Sequence, residues 1–220
     1  YNIFKCFVFD TQLHNTSETY HLCDGSWYKV DEDYVTKLHT FLDLYYEDQN
    51  LPDYNHKTEG HYNVAVAQQD STFICLDTTD VRPPGQTGIE PCDLYKISGD
   101  RAALFHVKVS TRSSGLSHLF NQGINSIELI KLEPTVKQKF IALIKGKLAG
   151  RNETSHLAPI HSESYKIVYV IISRKDKNKK SDNLPLFSRI SLRRSIKSLI
   201  LMNVKPVFCF VKNTAAKQPA

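Results

Sequence analysis

The stretch Ser164-Tyr-Lys-Ile-Val-Tyr-Val-Ile-Ile-Ser173 restricts the fold of this chain more than any other. Its β-branched residues are stiff at χ1 and favour extended backbone. Apolar side chains occupy both alternating faces, so neither face can be given to water. A strand of this kind sits inside a sheet whose two faces are both covered.

The remaining segments supply the neighbours and the cover. "NIFKCFVFD", "TYHLCD" and "SWYKV" read as short strands, with Asp24-Gly25 as a turn between the last two. "DEDYVTKLHTFLDLYYED" reads as an amphipathic helix, acidic in its first turn, with Val35, Leu38, Leu42 and Tyr45 at helical spacing. After the loop "NLPDYNHK", a shorter helix is expected in "TEGHYNVAVAQQD". Three strands follow, "STFICLD", "IEPCDLYKI" and "AALFHVKV", joined by the Pro/Gly loop "VRPPGQTG" and the tight turn Ser98-Gly99-Asp100.

"SSGLSHLFNQGINSIELIKL" is helical on both sides of Gly123, and Pro134 opens another helix in "PTVKQKFIALIKGKL". Beyond the apolar strand come a basic amphipathic helix, "PLFSRISLRRSIKSLILMN", and a last strand, "KPVFCFVKN". No internal repeat is visible. The order from Glu59 onward is helix, three-stranded meander, helices, strand. That order predicts the α/β class: a mixed central sheet with helices on its faces over 53–213, a strand-rich N-terminal extension over 1–52 carrying one helix, and a disordered tail over 214–220.

A chain of 220 residues, 41% hydrophobic, is long enough to bury a sizeable core without staples. Cys6, Cys23, Cys75, Cys92 and Cys209 are odd in number and contain no C-x-x-C pair, which favours buried thiols over a disulfide frame or a zinc knuckle. With no signal peptide and no 18-residue apolar run, a cytoplasmic protein with no membrane contact is expected. Met202 is the only methionine, so the chain reads as a piece of a larger protein. Other subunits, or a missing N-terminal part of the same protein, are therefore candidate partners.

Charge is divided unevenly. Residues 1–100 hold 6 Lys/Arg against 17 Asp/Glu, and residues 101–220 hold 22 against 6. Lys175, Lys177, Lys179 and Lys180 form one basic run, while Arg189, Arg193, Arg194 and Lys197 decorate the basic helix. Such clusters are the footprint of a protein that neutralises phosphates, so DNA or RNA is the expected partner, held by its backbone. The same imbalance is equally satisfied by pairing between the two halves of the chain.

The turn at Ser98–Asp100 folds "FHVKV" back beside Asp93, and His106 and Lys108, two residues apart on a strand, share a face. A carboxylate, a second candidate ligand and an ammonium then converge. That set suits phosphodiester hydrolysis: the carboxylate holds a hard divalent cation and the lysine steadies charge developing on the phosphate. The plain alternative is a cross-strand ion pair of Lys108 with Asp93 and a satisfied core histidine at 106. No G-x-S-x-G elbow marks a serine nucleophile.

The element order and these residues resemble the PD-(D/E)XK nuclease superfamily over residues 59–172, which implies a restriction-endonuclease-like core. By that resemblance Asp93 is the acid of the second core strand, "HVK" at His106–Lys108 stands at the (D/E)-x-K triplet, Glu59 is the glutamate of the first core helix and Gln122 the glutamine of the next. His106 departs from the pattern, since an imidazole replaces the acid and is a poor ligand for Mg²⁺.

Nearly the whole chain is also similar to a sporadically distributed bacterial family of mobile and defence gene neighbourhoods, through "DGSWYKVDEDYV", "HYN", "IEPCDLY", "FHVK", "SSGLSHLFNQGINS" and "LPLFSRISL". The resemblance implies a nuclease effector of anti-phage defence using Mg²⁺ or Mn²⁺. Asp93 and Glu59 would be metal ligands, Lys108 would position water and steady the transition state, His106 would be a ligand or proton shuttle, and Gln122 would orient the reacting groups. Glu90, three residues before Asp93, offers a further carboxylate if Pro91 breaks the strand. The alternative function is a catalytically inactive nucleic-acid-binding or assembly module of the same fold.

Overall fold

The computed structural model describes residues 3, 7, 9–13, 18–23, 25–81 and 90–216. Most of the predicted first strand, most of the loop "VRPPGQTG" and residues 217–220 lie outside them. The apolar run forms β7 (Tyr165–Ser173), and all nine of its residues are buried. It is fourth in a five-stranded sheet that also contains β4 (Ile74–Cys75), β5 (Leu94–Ser98), β6 (Arg101–Lys108) and β8 (Lys205–Lys212), ordered β4-β5-β6-β7-β8. The first three strands form an antiparallel meander, and β6, β7 and β8 are mutually parallel. The mixed α/β architecture expected from the sequence is the one observed. Gly99, at φ +64°, makes the tight β5–β6 turn, in which Ser98 pairs with Arg101.

The two faces of β7 enter different apolar layers. Tyr165, Ile167, Tyr169 and Ile171 pack with Leu104 and Phe208 under α1 (Glu32–Asp43), α3 (Ser113–Leu132), α4 (Pro134–Lys147), α5 (Glu153–His161) and α6 (Leu186–Leu201). Val168, Val170 and Ile172 pack with Phe105 and Val207 under Tyr54 and α2 (Glu59–Gln69). Burying each such side chain contributes about 1.5–3 kcal/mol, so β7 is the largest single source of apolar stabilisation in the sheet.

Local signals explain the helix ends. The Asp31 carboxylate caps α1 by accepting from Tyr34 N at 2.8 Å, and Pro134 occupies the first turn of α4. The helix on both sides of Gly123 is one continuous α3. Gly123 is required by packing, since a Cβ there would lie 2.6 Å from Tyr169 Cε1 and 2.7 Å from its hydroxyl oxygen. Helix α5 was not expected from the sequence, because it carries Pro159 internally and buries only Leu157, Pro159 and Ile160. The predicted strand at 71–77 shrinks to two residues. Asp70 turns the chain by accepting from Thr72 N at 2.9 Å through its side chain and from Phe73 N at 3.0 Å through its carbonyl.

The N-terminal strands β1 (Phe9–Gln12), β2 (Thr19–Cys23) and β3 (Ser26–Val30) form a separate antiparallel sheet. His21 stacks on Phe187 of α6, with ring centroids 6.3 Å apart and planes 3° apart. Leu38 and Leu42 of α1 lie in the main core, so this helix of the 1–52 segment shares that core with the sheet. Along the outer edge of β8 runs the segment after α1: Phe208 N donates to Tyr45 O, Glu47 N to Phe208 O and Tyr54 N to Lys212 O. Thr214, placed by the sequence in a disordered tail, donates its N–H to Tyr54 O at 2.8 Å.

Cys75, Cys92 and Cys209 are free thiols; Cys92 and Cys209 are buried and Cys75 is half-buried, while Cys6 lies outside the described residues. Among the described residues no helix is long and apolar enough to cross a membrane.

Helix propensity and packing oppose each other at the glycines. Gly123→Ala should lower stability by about 1–3 kcal/mol through overpacking against Tyr169, whereas Gly146→Ala in α4, with nothing within 4 Å of the new Cβ, should raise it by up to about 1 kcal/mol. Thermal unfolding of the two variants checks both signs.

Candidate active site

Asp93 stands one residue before β5, held at the sheet rim by three backbone partners. Its N–H donates to Phe105 O at 2.9 Å, its carbonyl accepts from Leu76 N at 2.8 Å, and its Oδ2 accepts from Val107 N at 2.7 Å. Because residues 90–93 precede the strand, they escape the alternation that would turn Glu90 and Asp93 to opposite faces. Glu90, Asp93 and Asp77 each present an oxygen within 4.8 Å of the others. Asp77 Oδ2 accepts from Asn63 Nδ2 at 3.2 Å and lies against Gly60, where a Cβ would come within 2.8 Å of it. A Glu90 oxygen accepts from the Thr78 N–H.

Burial pushes the Asp93 carboxyl up to about 7 against the opposing Val107 hydrogen bond, and the charges of Glu90, Asp77 and Glu59 add to the rise. Burial also raises Glu90, with Asp77 adding to it. The trio holds more negative charge than its surroundings balance, and its donors are all carboxylate oxygens. Both facts fit a hard divalent cation such as Mg²⁺ or Mn²⁺.

Beside the trio, Thr58 caps α2 by accepting from His61 N at 3.3 Å, which places Glu59 in the first helical turn. Glu59 Oε2 accepts from Lys108 Nζ at 2.9 Å and its Oε1 from Val109 N at 2.7 Å. The resemblance expects Glu59 and Asp93 as a ligand pair; in the structure Asp93 clusters with Asp77 and Glu90, and Glu59 is the partner of Lys108. The predicted Asp93–Lys108 ion pair is not the one formed.

These groups line a cavity of about 380 Å³, whose other wall carries Gln122 and His118 of α3. Four of the predicted residues, Glu59, Asp93, Lys108 and Gln122, therefore meet in one place. The expectation for His106 is corrected. It is 2% exposed and lies under α3, with Nε2 3.4 Å from Ser126 Oγ. Sharing a face with Lys108 is not enough, because two residues along a strand span about 6.6 Å and only Lys108 reaches the rim. Burial drives the His106 imidazole down to about 3, so it is a neutral core residue.

Sequence reasoning missed Asp77 and His118. Asp77 reads as the last residue of the expected strand at 71–77, and its one signal is the nearby "TEG", whose glycine admits the carboxylate. His118 is marked only by standing four residues before Gln122, on the same helical face.

The basic residues are partly engaged within the chain. Lys175 donates to Asn183 O at 2.7 Å, Lys177 pairs with Asp48 at 2.7 Å and Arg189 with Asp182 at 3.5 Å. Lys180 lies over the Tyr46 ring, and Arg193 over Tyr34 and Phe41. Lys179, Arg194 and Lys197 are exposed. Glu47 pairs with both Lys166 and Lys205. Part of the charge asymmetry is thus satisfied between the two halves of the chain. Ser181, His39 and Asp43 have the residue types of a nucleophilic triad but not its wiring: the fully buried Ser181 hydroxyl donates to Asp43 at 2.6 Å.

The raised Asp93 carboxyl has a stability consequence. The folded state retains a proton from about pH 4 to 7 that the unfolded chain has released, so this group costs stability progressively as pH rises through that window. Asp93→Asn keeps an acceptor for Val107 N–H without the charge. In chelator it should be more stable than the parent by on the order of 2 kcal/mol at pH 8 and by less at pH 5, as read from denaturant unfolding.

Comparison with curated proteins and with solved structures returns no match to this chain. One family model matches residues 1–212, nearly the whole sequence and every element of the site described above. The chain belongs to that family, DUF6119, described as a family of unknown function.

Proposed function

We propose that this protein is a metal-dependent phosphodiesterase acting on DNA or RNA, with Asp77, Glu90 and Asp93 as the ligands of Mg²⁺ or Mn²⁺. The observation that carries the reading is the meeting of Glu59 of α2, Asp93 just before β5, Lys108 of β6 and Gln122 of α3 in one cavity beside two further carboxylates. That cavity opens where β6 ends, and the carboxyl ends of strands are where open α/β sheets bind their ligands.

Asp77, Glu90 and Asp93 would hold the cation, which when bound would supply Lewis acidity toward the phosphate. The chain's own groups do the rest. Glu59 fixes the Lys108 ammonium, which meets the negative charge that grows on the phosphoryl oxygens. The Gln122 amide orients the phosphate or the attacking water. Of the basic residues at 175–197, Lys179, Arg194 and Lys197 are exposed with no ion pair among the described residues, and they would hold the nucleic-acid backbone. In this reading the protein is the degrading effector of a bacterial anti-phage system.

A second reading, a binding module without catalysis, is favoured by one feature: Lys108 and Glu59 satisfy each other. Incubation with plasmid and with single strands, in Mg²⁺ or Mn²⁺, separates the two. Cleavage by the parent protein, reduced about a hundredfold or more in both Asp93→Ala and Lys108→Ala, supports the enzyme. Salt-sensitive binding with no cleavage supports the module.

A further inference from the structure

The two walls of the cavity differ in one respect. Each acid, and the lysine, already has a partner: Glu59 and Lys108 bond each other, Asp77 accepts from Asn63, Glu90 from Thr78 and Asp93 from Val107. On the α3 wall, His118 and Gln122 make no hydrogen bond or ion pair with any described residue. They stand four residues apart and share one helical face. His118 is exposed, so nothing in the core requires an imidazole there.

We infer that His118 is a catalytic residue, the general acid that protonates the leaving oxygen. The inference rests on the phosphodiesterase reading and assigns a step within it. Cleavage of a nucleic-acid diester expels an alkoxide, which is too basic to depart readily without a proton. The lysine is held by Glu59 and the trio is suited to a cation. Imidazole is the side chain whose ordinary pKa lets it both hold and release a proton near neutrality. The step balances as follows. A water oxygen bonds to phosphorus and its proton passes to a neighbouring water. The phosphorus–oxygen bond to the leaving group breaks, with its electron pair staying on that oxygen. The imidazolium N–H proton moves to the same oxygen, giving an alcohol and a neutral His118.

The test compares leaving groups. His118→Gln and His118→Ala are surface changes on α3 that leave its buried face intact. With an oligonucleotide substrate in Mn²⁺, kcat/KM should fall about a hundredfold in both variants. With bis(4-nitrophenyl) phosphate, whose weakly basic phenolate departs without a proton, it should stay within about threefold of the parent. Affinity for a labelled single strand, measured by fluorescence anisotropy in EDTA, should be unchanged.

Equal losses on both substrates, no loss on either, or a loss matched by weaker binding each overturn the assignment of His118. Asp93→Ala separates the two levels of inference. If the parent cleaves the diesters and Asp93→Ala does not, while His118→Gln behaves as the parent, only the general acid is refuted. If the parent cleaves neither substrate, the phosphodiesterase reading falls, and His118 with it.

Discussion

Strand β7 has to find a hydrogen-bonded neighbour on each edge and an apolar layer on each face, because its nine residues are all buried and unable to face water. That requirement organises the molecule. Parallel partners on both sides demand crossover connections, and the chain supplies them with α3–α5 before β7 and α6 after it. The crossover helices pile onto one face, leaving α2 and Tyr54 to cover the other. Tyr169 shows how tightly this is set. Its ring fills the space opposite Gly123, and its hydroxyl donates to Phe120 O at 2.9 Å.

The candidate site follows from where this sheet stops. Val107 points into the apolar layer under α2, yet its N–H is spent on the Asp93 side chain, so pairing with β5 ends in a carboxylate while pairing with β7 runs on through Lys108. Lys108, the last residue of β6, leaves the core after a run of six buried residues, and the N-terminus of α2 brings Glu59 to meet it. Residues buried for stability and residues presented for chemistry are neighbours on one strand: Phe105 and His106 belong to the interior, Lys108 to the rim.

How much of this was legible depended on how local each signal was. The β-branched run, the Ser98–Asp100 turn and the helical spacing of Leu38 and Leu42 are written within a few residues, and each produced the expected element. The meeting of Asp93 with Lys108 followed from the same turn, since a tight hairpin fixes register. Glu90 needed knowledge that residues 90–93 lie outside the strand. Asp77 needed the loop after β4 to come back toward α2, and neither placement has a local pattern. His106 was misjudged because face was read correctly but depth was not, and alternation along a strand says nothing about where the strand enters the core. The basic residues of 174–197 were read as one surface, but Lys177 and Arg193 answer to Asp48 and the rings of α1, which the sequence separates from them by long intervals, and Arg189 answers to Asp182 across the turn before α6.

The chain segment from Tyr45 to Tyr54 occupies backbone groups along the outside of β8. An exposed parallel edge is a template on which another chain can add a strand. Here the Phe208 N–H and carbonyl and the Lys212 carbonyl are already taken by the chain's own loop. Growth of the sheet in that direction is blocked at those points, and a partner approaching this side must be recognised through side chains such as Glu47 and Lys205, not through main-chain pairing.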